Sequence, residues 1–239
     1  MNSLAGPLER AFSLRNLRAV ALAINSPGGS AVQSSLIAKR IRTLAAERKV
    51  PVLAFVEDIA ASGGYWLATA GDEIYADPSS ILGSIGVVSA GFGFTELLQR
   101  AGIERRIHTA GTRKAMLDPF RPEQPEDLAR LSQLQQEMHE NFKAQVRERR
   151  GGRLKGEEGE LFNGDIWTAR AALERGLIDG IGDLRSVLRE RYGEEAILVP
   201  VTQPRGWLRR RLGLEQPDGW AEQMLAAIEE RELWARYGL

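Results

Sequence analysis

Residues 18–25 (RAVALAIN) form a compact apolar run that ends in Ser26-Pro27-Gly28-Gly29, the pattern of a buried strand entering a sharp turn. From Ser30 onward Val32, Leu36, Ile37, Ile41 and Leu44 recur at helical spacing. Lys39, Arg40, Arg42, Arg48 and Lys49 gather toward the far end, where cations complement a helix dipole. Residues 51–56 (PVLAFV) read as a second buried strand, so this stretch predicts a right-handed parallel strand-helix-strand unit.

The following residues, EDIAASGGYW, leave that strand into small residues, with a helix expected over 65–70, a short strand over 73–76 and a turn over 77–80. The longest uncharged stretch, 78–95, is 18 residues long but carries four glycines and four serines. It predicts buried loops and short strands, because a membrane-spanning helix does not hold so many backbone-loosening residues. A helix is expected over 95–101, a strand over 105–108 and an irregular loop over 111–122. Pro125 opens a long helix whose apolar stripe is Leu128, Leu131, Leu134, Met138, Phe142 and Val146, ending at Gly151-Gly152. The charged, glycine-rich residues 151–160 are expected to be mobile. Beyond them lie a compact unit over 161–179 with its helix over 167–175, a helix ending at 187–191 and a last strand over 197–201. The alternation is that of an α/β protein without internal repeats.

A chain of 239 residues builds one large domain, or one domain with a small appendage. Having no cysteine, it has no disulfide, thiolate metal site or cysteine nucleophile. His108 and His139 are its two histidines, which argues against a multi-histidine metal site, and a Ser-His-Asp triad would have to use one of them. No metal or cofactor is implied. Zero net charge argues against bulk electrostatic capture of nucleic acid. Residues 1–17 scatter charges through an amphipathic pattern, unlike a secretory leader.

Three places have chemical promise. Ser26-Pro27-Gly28-Gly29 follows a strand and precedes a helix, which suits backbone N–H groups cradling an oxyanion, and equally suits a tight turn that merely needs glycine. It is neither a Walker loop nor a dinucleotide fingerprint. Ser62 sits among residues too small to cover it, and the Gly63 amide is placed as the residue after a nucleophile often is; an incidental serine in a glycine turn reads the same way. A serine needs a base. His108 in a strand-like stretch and His139 beside Met138 on the long helix read as ordinary surface or core histidines. Lys114 lies in a loop with an apolar second half, unlike the lysines of charged helix faces. Stripped of water, it would serve as a neutral base.

The strings INSPGGS, DIAASGGYW and DPSSILGSIGV, the Gly-Thr-Arg-Lys loop with DPFRP, and FNGDIWTARAALERGLIDGIGDL resemble, in order and spacing, those of the signal peptide peptidase A family. Its members are bacterial serine proteases with a Ser-Lys dyad, and the resemblance covers 13–192. It implies an α/β, Clp/crotonase-like fold of repeated ββα units, to which this chain's own pattern adds the long helix and a helical C-terminal tail. By the same resemblance Ser62 is the nucleophile, Lys114 the general base and Ser84 the residue that orients the lysine. Gly29 is the oxyanion glycine, Gly28 shapes its turn and Gly63 is a second donor. The 52-residue separation of Ser62 and Lys114 is similar to that of single-repeat bacterial members. The implied partners are peptide substrates, cleaved signal peptides among them, and further copies of the chain. The implied setting is membrane-associated, in the bacterial cell envelope.

The expected division is a peptidase domain over 1–200 and a basic, amphipathic tail over 201–239. Family members carry a membrane anchor and first strands ahead of the stretch matched here, so an unpaired sheet edge is expected beside 18–25. In the tail Trp207, Leu208, Leu212 and Leu214 interleave with Arg205, Arg209, Arg210 and Arg211. Trp220, Met224, Leu225, Ile228 and Trp234 suggest an amphipathic helix, fit for peripheral membrane contact or for packing on protein. The competing readings are a non-proteolytic Clp/crotonase-fold acyl-thioester enzyme, an inactive assembly scaffold, and a membrane-tethered adaptor.

Overall fold

A computed structural model of the chain describes residues 2–201, 234, 235 and 237. Helix α1 (Asn2–Phe12) precedes β1 (Val20–Ser26), which pairs in parallel with β2 (Val52–Ala61) across the helix α2 (Ala31–Arg48). The expected strand-helix-strand unit is present. Ser30 caps α2, its hydroxyl accepting the Gln33 N–H.

β2 runs well past the expected 56, up to Ser62. Its first half pairs with β3 (Glu73–Ala76) and its second with β4 (Ile81–Gly83). Side chains stitch the changeover at Glu57 and Asp58. Asn25 accepts the Ile59 N–H and donates to Asp58 at 2.6 Å, where β1 slips register between Ile24 and Ser26. The Ser80 hydroxyl reaches the Val56 and Glu57 carbonyls. The sheet order is β5 (Ile166–Thr168), β4, β2, β3, β6 (Gly180–Ile181), with β1 beside β2, and every pair is parallel except β4 with β5. Among the described residues β1 pairs with β2 alone, which leaves the open edge expected there.

Alternate β2 side chains enter two cores. Val52, Ala54 and Val56 join Ile41, Leu44, Tyr65, Phe142 and Val146 on one face. Leu53 and Phe55 meet Leu188 of α8 (Leu184–Tyr192) on the other. The buried stripe of α2 differs from the expected one. Ser34, Ala38, Ile41, Leu44 and Ala45 are buried, whereas Val32 and Leu36 are exposed. Close packing explains this: a Cβ on Gly63 would lie 2.5 Å from the Ser34 hydroxyl, so the facing position of α2 takes a small residue rather than a large apolar one.

The helix α5 (Pro125–Arg150) opens and ends as expected, but of its stripe Phe142 and Val146 are buried while Leu128 and Met138 stay exposed. Residues 151–160 are built into the fold as a 3-10 turn, Gly151–Arg153, and the short α6 (Glu158–Leu161). Arg153 pairs with Asp179, and the Lys155 N–H donates to the Arg175 carbonyl. Trp167 belongs to β5, paired with Leu82, and the helix behind it is α7 (Ala169–Glu174). The strands expected at 105–108 and 197–201 do not form: the first run is Arg-Arg-Ile-His, mostly charged and exposed, and the second is apolar but mostly exposed, and among the described residues no strand lies beside either to take its hydrogen bonds. Most of the expected tail helix lies outside the described residues. Among the described residues no helix is long and apolar enough to cross a membrane.

Candidate active site

Ser62 joins β2 to α3 (Gly63–Ala68) at φ 51°, ψ −120°. A positive φ on a residue with a Cβ is strained by about 1–3 kcal/mol and persists only where the surroundings over-determine it. Here the Ser62 N–H donates to the Gly83 carbonyl at 2.8 Å, and the Ser62 carbonyl accepts the Trp66 N–H at 3.0 Å. Such a sharp strand-to-helix turn presents the hydroxyl at the end of the sheet.

The turn after β1 lies against it. Gly28 has φ 137°, and a Cβ there would come 3.1 Å from the Ser62 Cβ and 3.5 Å from its Oγ. A Cβ on Gly63 would fall 3.4 Å from the Gly29 nitrogen, so these two amides sit side by side beside Ser62. Neither N–H has an acceptor among the described residues. Two free amides at a hydroxyl are what an oxyanion requires. The contact is tight: a Cβ on Gly64 would run into the Ser26 carbonyl oxygen. Gly64→Ala is therefore expected to cost about 2–3 kcal/mol, because backbone rather than a movable side chain is in the way. A lowered urea midpoint at unchanged m-value would show it.

Gly29, Ala31, Ser62 and Gly63 border a crevice of about 30 Å³, whose other walls are Trp66, Gly86, Val87, Met138 and Phe142. Trp66 and Phe142 are stacked, with ring centroids 4.9 Å apart. Room for a water or two, about 10–15 Å³ each, between apolar walls suits a small apolar group. Ser84, also at positive φ (52°), follows the glycine whose carbonyl holds Ser62. Its N–H donates to the Asp165 carbonyl at 2.7 Å, and its hydroxyl is 3.5 Å from the Tyr237 hydroxyl, which donates to it.

Lys114 stands apart. It is exposed on a turn, its N–H donating to the Gly111 carbonyl at 3.2 Å, and it is not among the crevice residues. Its loop belongs to an arm over 87–122 that is braced mainly on itself. Phe94 stacks on Phe120 at 5.4 Å, and Arg105 lies 4.4 Å above the Phe120 ring and 3.1 Å from Asp118. The arm's helix α4 (Thr95–Arg100) buries none of its residues, and Val88, Phe92 and Leu97 are 70%, 79% and 61% exposed. The arm also carries His108, exposed. His139 does have a contact: its Nε2 lies 3.0 Å from the Ile85 carbonyl oxygen.

Within one chain, then, Ser62, Gly28, Gly29, Gly63 and Ser84 come together and Lys114 does not join them. The crevice walls Trp66, Gly86, Val87, Met138 and Phe142 escaped the sequence reading. Met138 and Phe142 do fall four apart on one helix face, but that spacing reads as core as readily as pocket.

Residues 45–196 match the model of Peptidase family S49. The chain belongs to that family. The matched stretch contains Ser62, Gly63, Ser84 and Lys114, while Gly28 and Gly29 precede it. Family membership brings the Clp/crotonase-like α/β fold expected above. The chain is 53% identical over 248 aligned residues to a Brucella abortus protein named Na(+)/H(+) antiporter NhaA, covering 99% of this chain but 34% of that protein. It is 34% identical to the chloroplastic serine protease SPPA of Arabidopsis thaliana, over 74% of this chain and 26% of the relative. A solved structure of a membrane-bound stomatin-specific protease with a substrate peptide overlays on 83% of this chain and 81% of its own, at TM-score 0.48 and 19% identity. The chain thus spans about a third or less of the length of these two curated relatives.

Proposed function

We propose that this chain is the catalytic unit of a serine endopeptidase that works through an acyl-enzyme on Ser62, with Lys114 of a second copy as general base. The strained Ser62 turn beside the unpartnered Gly29 and Gly63 amides carries the reading. The lysine's origin in a second copy rests on the exposed apolar arm that bears it, which no other described part of the chain covers. Docking against a neighbour would strip water from the ammonium and favour the neutral amine. That amine takes the Ser62 Oγ proton as Oγ attacks the scissile carbonyl, and the carbonyl oxygen gathers charge between the Gly29 and Gly63 amides. The C–N bond breaks as the lysine returns its proton to the leaving amine. A water, deprotonated by the same lysine, then hydrolyses the ester.

Ser84, beside the carbonyl that holds Ser62, orients the incoming lysine amine, and Gly28 keeps Cβ atoms away from Oγ. The narrow apolar crevice favours small or apolar side chains next to the cleaved bond, as in signal peptides released at a membrane. An acyl-thioester enzyme would use the same amide pair but has no need of the hydroxyl. The test is incubation with a fluorogenic peptide carrying alanine at the cleaved position, and separately with a fluorophosphonate, followed by intact mass. Hydrolysis together with a single adduct on Ser62 is expected. No hydrolysis and no adduct by the assembled protein overturns the reading.

A further inference from the structure

We propose that His139 is a positioning residue that fixes the wall of the substrate crevice; this rests on the peptidase reading above. A carbonyl oxygen only accepts, so His139 Nε2, 3.0 Å from the Ile85 carbonyl, carries the proton and donates. That bond tethers α5 to the segment that carries Ile85.

Its place gives it leverage. His139 lies on α5 between Met138 and Phe142, both walls of the crevice, and Ile85 immediately precedes the facing walls Gly86 and Val87. The tether therefore sets the gap between the two sides. The segment it grips is strained at Ser84, whose φ is 52°, just after Gly83 at φ 113°. Upstream of Ile85 it is anchored by the Ser84 N–H on Asp165 and by the Gly83 carbonyl under Ser62. Downstream, no hydrogen bond among the described residues holds 87–93 to the body before the Phe94 N–H meets Pro119 within the arm. Beside the Gly86 N–H to the Ser84 carbonyl at 2.9 Å, a bond internal to the segment, His139 is the last fixing point before the chain departs into the Lys114 arm.

Without the donor the Ile85 carbonyl loses one hydrogen bond, and Gly86 and Val87 gain freedom to move away from α5. His139→Ala is expected to lower kcat/KM on the alanine peptide about tenfold, chiefly through KM, the size of one hydrogen bond. It is also expected to narrow the preference for alanine over leucine at the cleaved position. Fluorophosphonate labelling of Ser62 needs no side-chain pocket and should keep its wild-type rate. His139→Gln, whose amide N–H reaches a similar point, should recover to within about threefold of wild type. A glutamine variant no better than the alanine one, or an alanine variant with unchanged KM and preference, overturns the positioning role while wild-type hydrolysis leaves the peptidase reading intact. Failure of the wild type to cleave overturns both. Should His139→Ala not fold, as judged by circular dichroism, the glutamine variant with KM raised tenfold overturns it as well.

Discussion

Ser62→Ala is expected to lower kcat/KM for an apolar peptide by about 10³-fold or more, and to abolish fluorophosphonate labelling. Alanine keeps the Cβ, so the turn at φ 51° and the anchors to Gly83 and Trp66 should survive with the fold intact. Any residual rate would come from the amide pair acting on a water-attacked carbonyl. Lys114→Ala should fall by a similar factor, because in the proposed mechanism the two residues act as a unit and removing either disables the same proton transfer. The exposed position of Lys114 turns this into a sharper experiment. If each site draws its lysine from a neighbouring copy, co-refolding equal amounts of the two inactive variants restores complete sites. In a random assembly about a quarter of sites receive both an intact Ser62 and an intact Lys114. Recovery near that level supports the shared site. No recovery in oligomers shown by native mass spectrometry to be mixed would place both groups in one chain.

The legible parts of the molecule were those whose signals are local. A buried apolar run, a glycine turn and a capped helix follow one another from β1 into α2, and the small residues around Ser62 are visible as a string. What escaped was set by distant partners. β2 reaches Ser62 because β4 replaces β3 beside it and because Asn25 and Ser80 bridge the break; no window around 57–61 contains those partners. Trp167 is a strand residue because Leu82 lies opposite, whereas the apolar run 197–201 finds no edge to join among the described residues. His139 reads as one more polar residue on a helix until the Ile85 carbonyl, 54 positions earlier, is brought to it. Lys114 is the converse case: its string is recognisable, yet its chemistry depends on what covers an exposed loop.

Arg150 is the residue whose loss should cost the fold most. It closes α5 among Arg147, Arg149 and two glycines, a setting that reads as a solvated basic helix end. It is instead 2% exposed. Its guanidinium donates twice to the Gly176 carbonyl and pairs with Asp179 at 2.7 and 3.1 Å, while Asp179 also receives the Ile74 N–H of β3. This network ties the C-terminal end of α5, the helix that carries Met138 and Phe142, to the edge of the sheet. Arg150→Met fills much of the volume but leaves Asp179 half-paired and Gly176 without its donors. A cost of about 3–5 kcal/mol is expected, measured by urea unfolding. Arg150→Met with Asp179→Leu should recover part of that, since removing both charges leaves neither stranded. Acid titration gives an independent check. Burial works to raise the Asp179 pKa, but Arg150, the Ile74 N–H and Arg153 outweigh it and hold the carboxyl below the ordinary aspartate range. A depressed native pKa contributes stability that is complete above the unfolded value, near 3.9, and disappears as pH falls through the native one. Wild-type protein should therefore lose stability on acidification below about pH 5. In Arg150→Met burial is opposed only by Ile74 and Arg153, so the slope over the same window should be shallower; an unchanged slope would show that Arg150 does not govern the charge of Asp179.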